Sequence, residues 1–283
     1  MAVLAHPDDE SLGVGGTLAK YAAEGVEVSL VTATRGESGR FHGHSEPPEH
    51  PGAVALAAIR EAELRAAAAT LGVRDLSLLD YRDRELDRAD PREAVPLLAE
   101  HLRRVRPQVV VTFGPDGAYG HPDHVAISQL ATAAVVAAAA PGHLSTGEAA
   151  GRPHAVSKLY YLAWPEATWA GYQQAFRTLV SNVDGVERRA VPWPDWAITT
   201  VIDTRPWWPA VWRAVSCHES QVAAYQQLAH LSPGHHEMLW GRQSYYRAFS
   251  LVNGGRARET DVFEGLRPDP ADRPAGLNRL DRP

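Results

Sequence analysis

Short β-branched runs alternate with longer alanine-rich segments over the first 140 residues of this 283-residue chain. The alternation is typical of βαβ units, in which a helix returns the chain to a parallel sheet. It therefore predicts a doubly wound α/β core, whose ligands characteristically lie outside the carboxyl ends of the strands. The predicted strands are Ala2–Ala5, Val26–Thr32, Leu76–Leu79 and Val109–Phe113, and the predicted helices are Leu12–Glu24, Val54–Leu71, Arg92–Val105 and His124–Ala140.

Beyond Pro141 the composition shifts toward tryptophan and proline, which predicts a smaller α+β portion. We expect residues 1–140 to form a Rossmann-like three-layer α/β/α core, residues 141–253 to complete the same domain and its pocket, and residues 254–283 to form a loosely packed polar tail. Predicted elements of the second half are strands near Lys158–Ala163 and Ala197–Ile202 and helices near Ala210–Ala229 and His236–Phe249.

Charge and cysteine content narrow the class of protein. A formal charge of −6 and a pI near 6.1 provide no basic field for nucleic acid or an anionic membrane. The single cysteine, Cys217, excludes an intrachain disulfide and a cysteine-based zinc cluster. The longest apolar run, Ala131–Ala140, is shorter than the roughly 20 residues of a membrane span. We expect a cytoplasmic protein with a small-molecule substrate, and exposed tryptophans could make it a homo-oligomer.

Two histidine-and-aspartate clusters follow predicted strands. The first is Ala5-His6-Pro7-Asp8-Asp9-Glu10, and the second is Tyr119-Gly120-His121-Pro122-Asp123-His124. Imidazole and carboxylate are the ligands of a catalytic zinc or similar divalent metal. Taken singly, each cluster has a plain alternative, since Asp8 and Asp9 could cap a helix and the histidines could be structural. Two clusters at strand ends favour one shared site.

The glycines after the first predicted strand also suggest a nucleotide-binding site. Gly13-Val14-Gly15-Gly16 lies just beyond that strand, but Leu18 stands where the third glycine of a G-x-G-x-x-G fingerprint belongs. These glycines instead favour close packing of the first helix.

Together the two clusters resemble the hallmark of the zinc-dependent de-N-acetylases of the LmbE-like, or PIG-L, family. The likeness covers about residues 1–140, with a weaker echo at Arg213–Gln221. That family includes bacterial deacetylases of N-acetylglucosamine conjugates in mycothiol and bacillithiol biosynthesis and the glycosylphosphatidylinositol-pathway enzyme. The resemblance implies the LmbE-like form of the Rossmann-like fold and a metal-dependent hydrolase.

The resemblance also implies a role for each motif residue. His6, Asp9 and His124 match the zinc ligands, although iron or another divalent metal could replace zinc. Asp8 matches the general base. His121 matches the group that stabilises the oxyanion, kept oriented and protonated by Asp123, with Tyr119 as an additional donor.

Substrate-binding residues follow less directly from the resemblance. Arg60 and Asp83 look like the family's sugar-binding arginine and aspartate, and Glu37 is similar to a residue at the pocket edge. Arg60 could instead belong to a solvated helix face. His218 could face the pocket or brace the loops around it.

The leading hypothesis is removal of acetyl from an N-acetylglucosamine-type substrate, giving the free amine and acetate. One alternative is an amidohydrolase of the same mechanism acting on another acylamide. The other is a non-catalytic sugar-binding module. The polar loops Arg35–Gly52 and Asp80–Asp90 follow strands at the same edge and are expected to form the rim of the pocket.

Overall fold

The structure is a computed structural model that describes residues 1–141, 152–176, 180–183, 185–189, 191–221, 228–255 and 257–267. Its first half contains β1 (Ala2–Leu4), α1 (Asp9–Leu12), α2 (Gly15–Ala23), β2 (Ser29–Thr34), α3 (Ala53–Thr70), β3 (Asp75–Tyr81), α4 (Pro91–Val105), β4 (Val109–Phe113), α5 (Gly117–Gly120) and α6 (Pro122–Ala139). The remainder contains β5 (Lys158–Leu162), α7 (Glu166–Phe176), β6 (Val180–Val183), β7 (Val186–Arg189), β8 (Thr200–Asp203), α8 (Trp208–Cys217), α9 (Pro233–Trp240) and β9 (Arg242–Ser250).

Seven strands form one sheet in the order β3-β2-β1-β4-β5-β9-β8. The first five run parallel, β9 runs antiparallel to β5, and β8 runs antiparallel to β9 and so in the direction of the first five. Every residue of β1, β2 and β4 is buried, as expected where helices cover both faces of a parallel sheet. This arrangement confirms the predicted α/β fold with a mostly parallel sheet.

The order of the strands reverses between β1 and β4. From β1 the chain proceeds outward through β2 and β3, and it then returns to place β4 on the other side of β1. The diverging connections of such a switch point leave a crevice at the carboxyl ends of the two strands. The two His/Asp clusters follow β1 and β4, so the topology brings them to this crevice.

The helix predicted over His236–Phe249 is wrong. The helix, α9, ends at Trp240, and Arg242–Ser250 forms β9 between β5 and β8. Tyr245, Tyr246 and Phe249 suit a strand, and pairing on both sides outweighs the helical periodicity of the segment. The helix predicted over Ala210–Ala229 ends at Cys217, while residues 222–227 of that prediction lie outside the described residues.

The predicted first helix, Leu12–Glu24, is two helices, α1 and α2, separated at Gly13 and Val14. Gly16 lies so close to Thr204 that an added Cβ would stand 2.8 Å from the Thr204 Cβ. Close packing therefore accounts for this glycine, as the sequence predicts.

Part of the segment predicted as a loosely packed tail is buried. Glu259 and Val262 are 1% and 2% exposed, respectively, and Glu259 bonds to β5 and β8. Among the described residues, no helix is both long and apolar enough to cross a membrane.

Candidate active site

The first cluster turns sharply after β1 because Asp8 adopts a left-handed backbone, with φ of 104°. Asp8 occupies the N-cap position of α1, yet its side chain makes no capping hydrogen bond. The Asp9 carboxylate instead folds back and accepts hydrogen bonds from the backbone N–H groups of Ala5 and His6. The helix-cap alternative therefore does not account for the Asp8 carboxylate.

Three side chains converge at the end of the crevice. His6 Nδ1 lies 3.1 Å from His124 Nε2, and two oxygens of Asp9 lie 3.6 and 3.4 Å from these nitrogens, respectively. All three residues are at least nine-tenths buried. Because tetrahedral ligation at about 2.0–2.1 Å separates ligand atoms by about 3.3 Å, these spacings fit one divalent metal ion.

On each of the two imidazoles, the ring nitrogen that faces away from the other imidazole lies near an acceptor. His6 Nε2 lies 3.1 Å from an oxygen of Asp123 and 3.2 Å from one of Asp83, and carboxylates accept hydrogen bonds. His124 Nδ1 lies 3.2 Å from the carbonyl oxygen of Gly117. With protons on those atoms, His6 Nδ1 and His124 Nε2 present lone pairs to each other, an arrangement that a cation between them would stabilise.

Burial and neighbouring charges act in opposite directions on the Asp9 carboxyl. Burial raises its pKa, but His124 and His6 outweigh burial and hold the pKa well below the usual range. Asp9 thus offers a charged carboxylate to a metal ion. The donor set of two imidazoles and one carboxylate fits zinc and also other borderline divalent metals.

The structure corrects the predicted pairing of Asp123 with His121. The Asp123 carboxylate accepts hydrogen bonds from the backbone N–H groups of Arg84 and Leu86 and faces His6. Burial, together with His6 and His124 nearby, lowers the pKa of His121 to about 3, so this imidazole is neutral. Its Nδ1 accepts from the Asp123 N–H, which leaves Nε2 as the donor.

Asp8 is held by α3. Arg60 Nη2 lies 3.1 Å from Asp8 Oδ2, and the same guanidinium donates to the carbonyl oxygens of Pro7 and Gly36. Arg60 is 4% exposed, which excludes the solvated helix face that the sequence left open. Its charge orients the Asp8 carboxylate, one residue before Asp9 in the chain.

Tyr119 lies on the same side of the crevice, with its ring centroid 5.3 Å from that of His124. Burial raises its pKa, and the carboxylates of Asp9 and Asp8 add to this shift. The hydroxyl therefore keeps its proton and can donate a hydrogen bond.

Two predicted substrate residues border the loops after β2 and β3. Glu37 accepts from the backbone N–H of Asp83, and the Asp83 carboxylate accepts from that of Ser38. Burial raises the pKa of Asp83, but the hydrogen bond and charge of His6 lower it to about 2. Glu37 and Asp83 line a cavity of 480 Å³. A larger cavity of 630 Å³, near Met238 and Arg205, has none of the predicted site residues in its lining.

His218 is fully buried and lies 2.7 Å from Glu10, which is also fully buried. This position favours the bracing role over contact with an open pocket. Burial lowers the pKa of His218, but Glu10 outweighs it and raises the pKa. Glu10 belongs to the first motif, but the sequence analysis assigns it no role. Its position directly after Asp9 was the signal in the sequence that could have pointed to it.

The fold and the site define a Rossmann-like α/β protein with a His/Asp site suited to a divalent metal ion. A family model described as "PIG-L: GlcNAc-PI de-N-acetylase" matches residues 1–135. Over 94% of its length, the chain is 38% identical to a 1D-myo-inositol 2-acetamido-2-deoxy-alpha-D-glucopyranoside deacetylase of Kineococcus radiotolerans, covering 82% of that relative. The chain belongs to the PIG-L family.

Solved structures agree with the fold. The conserved protein TT1542 from Thermus thermophilus matches with a TM-score of 0.60 and 26% identity, over 89% of this chain and 95% of that one. GalB, the 4-carboxy-2-hydroxymuconate hydratase of Pseudomonas putida, matches with a TM-score of 0.64 and 20% identity, over 90% and 98%. A hydratase with this fold shows that the fold alone does not determine the reaction.

Proposed function

We propose that the chain is a zinc-dependent deacetylase that hydrolyses the acetamide of an N-acetylglucosaminyl inositol, releasing acetate and the free amine. The observation that carries the proposal is the convergence of His6, Asp9 and His124, with Asp8 directly before Asp9 in the chain and its carboxylate held by Arg60. The substrate class is supported by the name of the Kineococcus relative, with which the chain is similar over most of its length.

Asp8 would act as the general base. A bound divalent ion would supply Lewis-acid activation of the amide carbonyl and of water. Asp8 would take a proton from the attacking water and later give one to the departing amine. The Arg60 contact fixes the orientation of the Asp8 carboxylate for both transfers.

His121 and Tyr119 would stabilise the negative charge that develops on the carbonyl oxygen. Each retains a proton that it can donate, from Nε2 of a neutral imidazole and from a phenol of raised pKa. Donors fixed in advance in a buried site are effective because they need no reorganisation during the reaction. Asp123 would act behind His6 by holding its ring.

The sugar would lie toward the rim formed by the loops after β2 and β3. Glu37 and Asp83 face the 480 Å³ cavity there, and carboxylates accept hydrogen bonds from pyranose hydroxyls. Arg60 donates hydrogen bonds to Asp8 and to the carbonyl oxygens of Pro7 and Gly36. It would therefore hold the residues around the sugar site in place.

A substrate panel with metal analysis tests the proposal. Purified protein is assayed for acetate release from the inositol conjugate of N-acetylglucosamine, from N-acetylglucosamine, from diacetylchitobiose and from N-acetylbutylamine. We expect turnover to be fastest on the inositol conjugate and to be lost in His124→Ala, which lacks a ligand. Faster hydrolysis of N-acetylbutylamine would indicate a different amidohydrolase. Sugar binding without acetate release by metal-loaded protein would indicate a binding module.

A further inference from the structure

The segment His218–Gln221, immediately after α8, connects the second half of the chain to the first cluster. His218 Nε2 lies 2.7 Å from Glu10 Oε1, and both side chains are 0% exposed. The two residues are 208 positions apart in the sequence, so no local pattern brings them together. A buried carboxylate is costly unless it is paired, and His218 provides the pair.

Glu10 uses its other oxygen to hold the backbone of Asp8. The Asp8 N–H donates to Glu10 Oε2 at 2.9 Å, and the Ser11 hydroxyl donates to Oε1. Asp8 has a left-handed φ of 104°, which is unfavourable for a residue with a Cβ and persists only where the surrounding structure enforces it. The Glu10 carboxylate is one of the groups that enforce it.

We propose that His218 is a positioning residue for Asp8, acting through Glu10. The inference rests on the proposed function, in which Asp8 is the general base. His218 fixes the Glu10 carboxylate, Glu10 fixes the left-handed backbone of Asp8, and Arg60 fixes the Asp8 side chain from α3. The base is therefore held at its backbone and at its carboxylate by two separate elements.

The rest of the segment makes contacts that secure His218 itself. Ser220 donates from its backbone N–H and its hydroxyl to Glu63 of α3, and Gln221 donates to the carbonyl oxygen of Arg40. The backbone N–H of His42 donates to the carbonyl oxygen of Ser220. These bonds join α3 and the loop after β2 to the segment His218–Gln221. The position of His218 is therefore fixed from several sides.

The test compares two substitutions at one position. His218→Leu removes the donor to Glu10, whereas His218→Gln can place an amide N–H near the former Nε2. We expect His218→Leu to lower kcat about 10- to 100-fold, the range found when a group supporting a metal site is removed. KM and the metal content per chain should stay at wild-type values, and His218→Gln should recover most of kcat. An unchanged kcat in His218→Leu, or an equal loss in His218→Gln, would overturn the proposal.

A control and a second variant separate positioning from general destabilisation. Tyr160→Phe removes a buried hydrogen bond to Glu259, far from Asp8, and should lower Tm without lowering kcat. Should His218→Leu fail to fold, the double variant Glu10→Leu/His218→Leu removes both buried charges and still deprives the Asp8 N–H of its acceptor. Its kcat should fall as far as expected for His218→Leu, and a wild-type kcat would overturn the proposal.

A crystal structure of the double variant gives a readout that does not depend on activity. We expect the φ of Asp8 to leave the left-handed region, and a φ that remains near 104° would overturn the inference. Failure of the proposed function appears differently, as wild-type protein that releases no acetate from any substrate of the panel.

Discussion

Two buried clusters of polar residues lie at opposite ends of the parallel strands. They differ in how their hydrogen-bonding groups are paired. The three proposed metal ligands (His6, Asp9 and His124), here called the metal cluster, lie at the carboxyl ends of β1 and β4. The Glu259 cluster lies at the start of β5, where the Glu259 carboxylate accepts hydrogen bonds at 2.7–2.8 Å from Lys158, Tyr160, Thr200 and Asn253. Arg247 Nη1 also forms an ion pair with it at 2.7 Å.

The difference is in how donors and acceptors are matched. In the Glu259 cluster every one of those contacts joins a donor to an acceptor, which stabilises the fold. In the metal cluster the nearest approach, 3.1 Å, is between two imidazole nitrogens, which both present lone pairs when the protons lie on the opposite ring nitrogens, as a bound cation requires. A buried cluster in which each donor faces an acceptor stabilises the fold. A buried cluster in which acceptors face each other needs a cation between them, which indicates a functional site.

The largest effect is expected at Asp8, the proposed general base. Asp8→Asn removes this carboxylate but none of the three proposed ligands, so kcat should fall about 10²- to 10⁴-fold while the metal content stays unchanged. Acetate release and elemental analysis of the same sample measure both quantities. Normal turnover by this variant would remove Asp8 from the mechanism.

Glu259→Gln should have the next largest effect, on stability alone. Burial raises the pKa of Glu259, but its donors, Lys158 first, lower it from 4.5 to about 2. The shift corresponds to about 3 kcal/mol of unfolding free energy at neutral pH. Because the folded-state pKa is the lower one, this contribution is complete above about pH 4.5 and disappears as the pH falls through about 2. Urea unfolding at several pH values measures it.

If Glu259→Gln unfolded at the same urea concentration as the wild-type protein at neutral pH, the Glu259 cluster would not have the stabilising role that distinguishes it from the metal cluster. The distinction between the two clusters would also disappear if the variant lost kcat under conditions in which it is fully folded, since the Glu259 cluster would then belong to the reaction.

Asp123→Asn should have a smaller effect, directed at the metal. The amide cannot accept at both of its former oxygens, so the hydrogen bonds to the loop after β3 or to His6 are weakened. We expect metal affinity to fall about 10- to 100-fold. Competition with a chelator of known affinity measures this change, and an unaltered affinity would show that His6 needs no support from Asp123.

The smallest effect is expected for Thr200→Val, which removes one side-chain hydrogen bond to Glu259 and keeps the shape of the side chain. The loss should be about 1 kcal/mol, with kcat unchanged. Thermal unfolding provides the measurement. A loss as large as that of Glu259→Gln would mean that the donors act as one indivisible network.

The sequence predicts the α/β core and the place of the site well, for a physical reason. The parallel strands are buried on both faces and so form apolar runs, and the switch point then determines where polar residues at their ends must meet. His6 and His124 are 118 positions apart, yet the order of the strands alone brings them to one crevice.

Features that depend on long-range pairing were not predictable in the same way. The sequence pattern of β9 predicts a helix, because a local pattern does not show the pairing with β5 and β8, which are distant in the sequence. The pairing of Asp123 with His6, rather than with His121 two residues away, depends on how the loop after β3 packs. Contact between His218 and Glu10 likewise joins two motifs that the sequence shows only separately.

The most direct test of the account is a metal titration of the purified chain after complete chelation, with acetate release from the inositol conjugate of N-acetylglucosamine measured at each point. We predict no turnover without metal and full turnover at one zinc ion per chain, and His124→Ala should show neither binding nor turnover. Full activity in protein verified to be free of metal would contradict the central claim that His6, Asp9 and His124 form a catalytic metal site.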